Sequence, residues 1–539
     1  MGNTTLANTL VNPTSLSPFT GEWTYELAAH LLRRTTFGPN KEEIAQSENR
    51  GLTWTINQLF KEIPLPEAPL NSNPEEPEIA VGEPWISLPY YEDINVKGTR
   101  RRSMKGWTME NIYKEGISAR EKLVLFWHNH FAIDNISDAK FLYRYSNTLR
   151  THAWGDFKQL VKDITIDPSM LRFLNGNSNT KNNPNENYAR ELLELFTIGK
   201  GPTVGEGDYT NYTEDDVLAM AKILTGWDDD GYFQVNPDRP MISYFRPDKH
   251  DESDKQLSHR FDNVVISNAG ENEYKDLIDI IFSKEEVAKF ISRKLYRWYV
   301  YYKITDEVES NVIEPMAQLI IDNDYTIKPA LKALFSSEHF FEFLNIGPMI
   351  ASPLDYVFKI FKNLKVQFSE EDLDIKYRIY ERILNFGRDL EQEYYGSPDV
   401  AGWKAYYQEP LYYRSWINAT TLGARFTMIA KLAGNGYSVS GNKLKVDPLY
   451  FLENHIEEPS DPNKLIDQLV KLLFPQRIID SQIDALKEIL IPGLPDYEWT
   501  VEYEDYRANP DDSKLKKAVE NKLKQLFQAM LNMPEAYLI

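Results

Sequence analysis

Apolar residues recur along most of the chain at the spacing of three and four positions that marks one face of an α-helix. The clearest windows are 25–35 (YELAAHLLRRT), 215–227 (DDVLAMAKILTGW), 284–302 (KEEVAKFISRKLYRWYVYY) and 515–531 (LKKAVENKLKQLFQAML). Alternating patterns typical of strands are few and short. The sequence therefore predicts an all-α fold: a large multi-helical globular protein with long irregular loops and little β structure.

Two segments interrupt this pattern. Residues 63–86 form an acidic, proline-rich loop, and residues 228–270 mix Asp, Gly, Pro and Asn without a sustained period. A new set of helices starts after NIGPMIASPLDYV, near residue 345. We therefore expect an N-terminal tail (1–24), a main helical domain (25–345) that contains both loops, and a C-terminal helical domain (346–539).

The amino-acid composition excludes some classes of binding partner for this protein. The 81 acidic and 60 basic side chains give a formal net charge of -21, which argues against nucleic acid and anionic lipid as partners. No apolar window approaches the roughly 18 to 20 residues of a membrane span. The chain starts without the basic-then-apolar order of a signal peptide, whereas its lack of cysteine suits a compartment where thiols are oxidised. The compartment is left open.

Zero cysteines exclude disulfides and thiolate ligands, so any metal must use His, Asp or Glu. The stretch EKLVLFWHNHFAI places His128 and His130 two positions apart. Successive helical residues turn by about 100°, so these two side chains converge on one ion only if the helix ends near His130. The alternative is a pair of core histidines, each held by hydrogen bonds among the surrounding aromatic residues.

A second candidate is NPNENYARELLELFTIGKG, residues 183–201. Asn183 is expected to cap the helix, with Pro184 at its first position and the Glu186 carboxylate reaching back to the cap. Polar residues then share one face: Asn187, Arg190, Glu191 and Glu194. Such a stripe is either a solvated surface or the lining of a polar cavity.

The third candidate lies in SYFRPDKHDESDK, residues 243–255, where His250 and Asp251 are adjacent. Imidazole and carboxylate ligands suit zinc, copper, iron or manganese, although such loops are often only hydrated and charged. The chain lacks a Walker loop, a G-x-S-x-G elbow and an H-E-x-x-H motif. Thr213 and Asp216 predict a capping box for the next helix.

Several blocks, in this order, resemble the bacterial family catalogued as domain of unknown function 1800. They include AAHLLRRTTFGP, REKLVLFWHNHFA, DPSMLRFLNG, PNENYARELLELFTIG, YTEDDVLAMAKILTGW, FISRKLYRWYV and SPDVAGWKAYY. The resemblance implies a helical architecture and assigns no reaction. It also places all seven candidate residues inside family blocks: His128, His130, Glu186, Arg190, Glu191, His250 and Asp251. Similar chains are often exported and encoded beside a sulfatase-like family numbered 1501, which implies a possible protein partner and a periplasmic or extracellular location.

The leading hypothesis is a metal-dependent enzyme, a hydrolase or an oxidoreductase. His128, His130 and His250 would hold a divalent transition metal, with Asp251 as a fourth ligand or a support. Glu186 or Glu191 would move a proton, and Arg190 would stabilise negative charge. The rival hypothesis is a non-catalytic helical adaptor that binds the exported sulfatase-like partner.

Overall fold

The computed structural model describes residues 14–239 and 241–539, so residues 1–13 of the expected tail lie outside it. Helices dominate, and the predicted all-α class is confirmed. The first helices are α1 (Tyr25–Thr35), α2 (Lys41–Arg50), α3 (Leu52–Leu59), α4 (Lys97–Lys114), α5 (Arg120–His130), α6 (Ala139–Thr151), α7 (Phe157–Thr165) and α8 (Pro168–Phe173).

The middle of the chain continues with α9 (Glu186–Glu191), α10 (Glu214–Ile223), α11 (Glu273–Ile281), α12 (Glu285–Tyr299), α13 (Asp306–Val308), α14 (Glu314–Asp322) and α15 (Lys328–Phe335). Two π-helical segments, Leu192–Thr197 and Glu309–Ile313, extend α9 and join α13 to α14. The last helices are α16 (Pro353–Asn363), α17 (Leu373–Asp389), α18 (Ala419–Leu432), α19 (Pro448–His455), α20 (Pro462–Leu473), α21 (Asp480–Leu490), α22 (Tyr497–Ala508) and α23 (Ser513–Asn532).

The strands are short and form separate antiparallel pairs in the described residues. They are β1 (Thr203–Gly205) with β2 (Asp208–Tyr209), β3 (Trp227–Asp230) with β4 (Ile242–Phe245), β5 (Lys255–Gln256) with β6 (Val265–Ile266), and β7 (Tyr437–Val439) with β8 (Asn442–Leu444). Two pairs lie in the predicted 228–270 loop and its edge. This loop, apart from position 240, which is not described, is therefore more ordered than its sequence suggests.

The helix predicted over 215–227 is shorter than expected. It starts from the predicted capping box of Thr213 and Asp216 and ends at Ile223. Gly226 has a φ of +91°, and its carbonyl accepts a 2.7 Å hydrogen bond from the Arg246 amide. Pairing with β4 therefore takes over from Trp227 onward, where the sequence pattern still favours helix.

One continuous cluster of buried apolar side chains runs from Ala28 to Ile539. It crosses residue 345: α4 packs against α17 so closely that a Cβ on Gly106 would lie 2.6 Å from the Tyr377 ring. Lys122 of α5 and Asp355 of α16 also form a buried ion pair across it. The subdivision near 345 stays a prediction. None of the described helices is long and apolar enough to cross a bilayer.

Candidate functional site

His128 is fully buried near the end of α5, and both of its ring nitrogens are used. Tyr145 donates its hydroxyl proton to the Phe131 carbonyl at 2.7 Å, so the 3.1 Å contact between Tyr145 Oη and His128 Nδ1 requires Nδ1–H to donate. His128 Nε2 then accepts from the backbone N–H of Tyr395 at 3.1 Å. Burial lowers the pKa of His128 to about 3, so the ring is neutral.

His130, on the last turn of the same helix, faces different neighbours. Its Nε2–H donates to the Phe196 carbonyl at 2.9 Å, and its Nδ1 accepts from Lys294 Nζ at 3.1 Å. Burial, reinforced by the charge of Lys294, lowers the pKa of His130 well below its usual value. Helix α5 continues to His130, so the unwinding needed to make the two imidazoles converge does not occur.

His250 lies in a third environment. Its Nδ1 donates to the Thr225 carbonyl at 2.9 Å, and its Nε2 contacts the Glu273 carboxylate at 2.8 Å. Lys255 binds the other oxygen of that carboxylate at 2.6 Å. Asp251 accepts from the Ser253 amide at 2.9 Å. The Glu273 carboxylate thus holds His250 and Lys255 together and fastens the 228–270 loop to α11.

The structure thus separates the predicted metal ligands. His128, His130 and His250 each use both ring nitrogens on their own neighbours. The described ranges 14–239 and 241–539 contain no group of three or more His, Asp or Glu side chains that could hold a metal ion. These contacts do not support the metal centre, which stays a prediction.

The predicted start of the next helix is wrong by two residues. Asn185 caps α9, because its side chain accepts from the Asn187 amide at 3.0 Å and its own amide donates to Asn179 Oδ1 at 2.8 Å. Asn183 instead donates its amide to the Thr180 carbonyl in a turn. Glu186 therefore starts the helix and pairs with Arg190 at 3.1 Å, and it does not reach back to a cap.

Arg190 is a surface residue rather than part of a buried network. Its guanidinium donates to both carboxylate oxygens of Glu214 at 2.8 Å, and 33% of its side-chain surface is exposed to solvent. The Glu186 side chain is 42% exposed. Two of the three predicted catalytic residues, Glu186 and Arg190, therefore form an exposed ion pair. This ion pair explains their positions without a catalytic role.

Glu191 differs from these two. Burial raises its pKa to about 7, and the neighbouring carboxylates of Glu194 and Asp399 contribute to the rise. Glu194, one turn along the π-helical segment, accepts from the Tyr212 hydroxyl at 3.0 Å and lines a cavity. Glu191 is thus the predicted catalytic residue that lies next to a site where a proton could be moved.

The cavity has a volume of about 280 Å³ and opens beside the end of α5. Four elements form its walls: the end of α5, the π-helical segment, one face of α12, and the segment 401–412. The residues that line it are Phe126, Asn129, His130, Glu194, Leu195, Phe290, Arg293, Lys294, Arg297, Trp298, Ala401, Tyr406, Tyr407, Glu409 and Tyr412. Its wall is mostly apolar and aromatic with a few charged groups, as in many small-molecule sites.

The last turn of the π-helical segment orients the polar groups of this cavity. Carbonyls at the end of a helix lack intrahelical partners. The Leu195 carbonyl accepts from Lys294 Nζ at 2.9 Å, and the Phe196 carbonyl accepts from His130. Gly199, with a φ of +74°, then ends the segment, and a Cβ there would lie 2.8 Å from the Phe290 ring. The geometry therefore depends on a glycine at 199.

A second glycine fixes the opposite wall. Gly402 has a φ of +84°, and a Cβ on it would lie 2.4 Å from both oxygens of Asn129. The next residue, Trp403, donates its backbone N–H to Asn129 Oδ1 at 2.8 Å. Asn129 is thereby held with its side-chain oxygen engaged. This contact joins the segment 401–412 to the end of α5.

Lys294 is a perturbed base of the cavity. Burial lowers its pKa to about 7, and the positive charge of Arg297 adds to the fall. Its Nζ contacts two acceptors, the Leu195 carbonyl and His130 Nδ1, and no carboxylate among the described residues. Perturbed titratable groups in a cleft are candidates for function.

The sequence carried one signal for Lys294. Lys294 lies four residues after Phe290 and four residues before Trp298. It therefore shares one face of α12 with two large apolar side chains. The pattern by itself predicts only a helix. Its contact with a cavity depends on the segment 401–412, which lies about a hundred residues further along the chain.

A protein-family model described as "Protein of unknown function (DUF1800)" matches residues 30–538 of the chain. Searches among the curated proteins and among the solved structures find no significant match. The family match covers the cavity and all seven residues predicted as a site. Its description assigns no reaction, so function has to be argued from the geometry.

Proposed function

The chain belongs to the DUF1800 family, and we propose that it is an enzyme whose reactive group is the side-chain amine of Lys294. In this proposal the amine accepts a proton from a substrate bound in the 280 Å³ cavity. One observation carries it. Two of the three directions in which Nζ can bond lead to the Leu195 carbonyl and to His130, and Lys294 also lines the cavity, so the third direction is left for a ligand.

The electrostatics support this role. A general base works best when its pKa lies near the working pH, and the pKa of Lys294 is about 7. His130 is a weaker candidate, because its Nε2–H is donated to Phe196 and its Nδ1 is occupied by the lysine. His130 instead positions the amine. Glu191, whose pKa is also about 7, could return a proton at the edge of the site.

Competitive acylation of the full-length protein tests the proposal. A small acylating reagent is applied in trace amounts from pH 5 to 11, and each lysine is quantified by mass spectrometry. Only unprotonated amines react, so Lys294 is expected to reach half of its maximal reactivity near pH 7. Nα-acetyl-lysine added to the same reaction is the internal standard for an ordinary lysine amine, with a midpoint near the pKa of about 10.4 for a free side chain. A Lys294 profile that coincides with that of the standard would refute the proposal.

The metal-dependent enzyme remains an alternative proposal. It predicts stoichiometric zinc, copper, iron or manganese in the purified protein and loss of that metal in a folded His128→Ala plus His130→Ala variant. The hydrogen bonds of the three histidines give it less support than the lysine site has. Bound metal at full stoichiometry in wild type, lost in the double variant, would favour it over the lysine proposal.

The adaptor is favoured by a separate surface. Phe343, Leu344 and Ile479 expose 65%, 80% and 67% of their surface around a groove of about 380 Å³. Exposed apolar patches often mark protein interfaces. An adaptor that binds a purified sulfatase-like partner should lose binding when Leu344→Asp is introduced. An unchanged affinity would remove this argument.

A further inference from the structure

The cavity around Lys294 continues outward into a second groove. This groove has a volume of about 400 Å³ and shares Arg297, Glu409 and Tyr412 with the cavity. Its outer part is lined by residues that follow α12, including Lys303, and by Arg414. A ligand that starts at Lys294 therefore has room to extend past Arg297 to the surface.

The cations along this path differ in whether a carboxylate neutralises their charge. Arg293 is neutralised, since it binds Glu286 and Glu309 at 2.6 Å each. Arg297 donates a long hydrogen bond of 3.4 Å to the Tyr302 carbonyl and lies 5.9 Å from the Tyr412 ring centroid, and its guanidinium forms no ion pair with any described carboxylate. Arg297 is therefore a free cation on a protein whose formal net charge is -21.

Arg414 at the outer end is also without a described carboxylate partner. It donates to the backbone carbonyls of Leu411, at 3.2 Å, and Pro410. Lys303 beside it is exposed. The one acid that lines both parts, Glu409, accepts a hydrogen bond from the Tyr412 hydroxyl at 2.9 Å. The outer groove thus carries three cations, Arg297, Lys303 and Arg414, and one acid, opposite in sign to the protein as a whole.

Aromatic rings alternate with these cations. Tyr302 and Tyr412 lie 5.1 Å apart between ring centroids, and the Arg414 guanidinium lies 5.1 Å from the Tyr302 centroid. Tyr407, with 37% of its surface exposed, lines the inner cavity. Flat apolar faces next to unpaired cations fit a chain of rings that carry negative charges.

We propose that this path binds an acidic oligosaccharide, with one sugar carboxylate paired to Arg297 and the following units extending toward Lys303 and Arg414. The inference rests on the proposed function of Lys294. A carboxylate suits that function better than a sulfate ester, because it acidifies the C–H bond on the adjacent carbon. Pairing the carboxylate with a guanidinium stabilises the charge that forms when a base removes this proton.

Isothermal titration calorimetry on the full-length protein tests the inference with trigalacturonate, its trimethyl ester and tripolyphosphate. Trigalacturonate should bind wild type, and the neutral ester should bind at least about tenfold more weakly because the ion pairs are lost. Arg297→Met should weaken trigalacturonate binding by a similar factor. Arg414→Met, at the rim and so less demanding for folding, should weaken it about threefold. Arg477→Met, exposed outside the path, is the matched control and should leave affinity unchanged.

Equal binding of acid and ester, full affinity of Arg297→Met, absence of trigalacturonate binding, or preference for tripolyphosphate would each overturn the inference. These results are distinct from failure of the proposed function, which is judged by the pH profile of Lys294 acylation in the absence of ligand. If Lys294 is neutral but trigalacturonate does not bind, the proposed enzyme stands and this substrate class is rejected. If trigalacturonate binds but Lys294 is protonated like an ordinary lysine, the proposed enzyme is rejected and the protein is a glycan-binding protein.

Discussion

At two places in the described residues a lysine and a histidine lie together, one place buried and the other partly buried, and the two differ in one component. Lys255 and His250 share the carboxylate of Glu273, at 2.6 Å and 2.8 Å, with all three side chains removed from solvent. Lys294 and His130 share no carboxylate; the lysine amine donates to the histidine and to a backbone carbonyl. A cavity adjoins the second pair.

This difference separates a structural contact from a candidate site. A buried cation that meets a carboxylate has its charge compensated in place. A buried amine without a carboxylate is pushed toward its neutral form, and its remaining direction is available to a ligand. The histidines do not distinguish the two places, although they were the first candidates suggested by the sequence.

The largest expected effect comes from removing the carboxylate that defines the first pair. Glu273→Gln leaves the buried Lys255 without a counter-charge, so we expect a loss of about 3–5 kcal/mol in the free energy of unfolding. Glu271→Gln changes an exposed residue two positions away and should cost less than about 0.5 kcal/mol. Thermal and urea unfolding of both variants measure this. Equal stability of the two variants would show that the first pair is not a buried ion pair.

The second effect concerns the pH dependence of Lys294. Its pKa is about 7 in the folded protein and near 10.5 when unfolded, so between these values the unfolded chain binds the extra proton. Raising the pH from 7 to 10 should therefore stabilise wild type relative to Lys294→Met, by at most about 1.4 kcal/mol per pH unit. Below pH 7 the difference should level off. Parallel stability curves across this range would contradict the perturbed lysine.

The smallest effect is expected at the exposed ion pair. Arg190→Ala removes contacts to Glu214 and Glu186, which keep 36% and 42% of their exposure. Exposed pairs contribute about 0–1 kcal/mol, so the melting temperature should fall by a few degrees at most. A loss comparable to that of Glu273→Gln would mean that Arg190 belongs to a buried network after all.

The sequence predicted the helices well where periodicity is local. The predicted window 25–35 coincides with α1, and α12 and α23 lie close to their windows. It failed at the start of α9, because Asn183 and Asn185 are both asparagines that can cap a helix, and a hydrogen bond to Asn179, six residues earlier, selects Asn185. It failed also at Trp227, where pairing with a strand fifteen residues away outweighs the helical pattern.

The sequence predicts only some of the residues at the cavity. His130 lines it and Glu191 lies beside Glu194, which also lines it, whereas Lys294 is absent from the predicted site. A histidine in a sequence is an obvious candidate metal ligand, whereas a lysine on a helix is usually solvated. Only the packing of segment 401–412 over α12 reveals that Lys294 is enclosed. Such long-range packing has no local signature.

The most direct test of the central claim is the protonation of Lys294 itself. Protein labelled with 13C at lysine Cε is titrated by NMR from pH 5 to 11, with Lys294→Met to assign the resonance and Arg297→Met to remove the neighbouring charge. We predict one lysine resonance with a midpoint near pH 7, absent from Lys294→Met and shifted to higher pH in Arg297→Met. A Lys294 resonance that titrates above pH 9.5, close to the ordinary lysine value of about 10.4, would contradict the account.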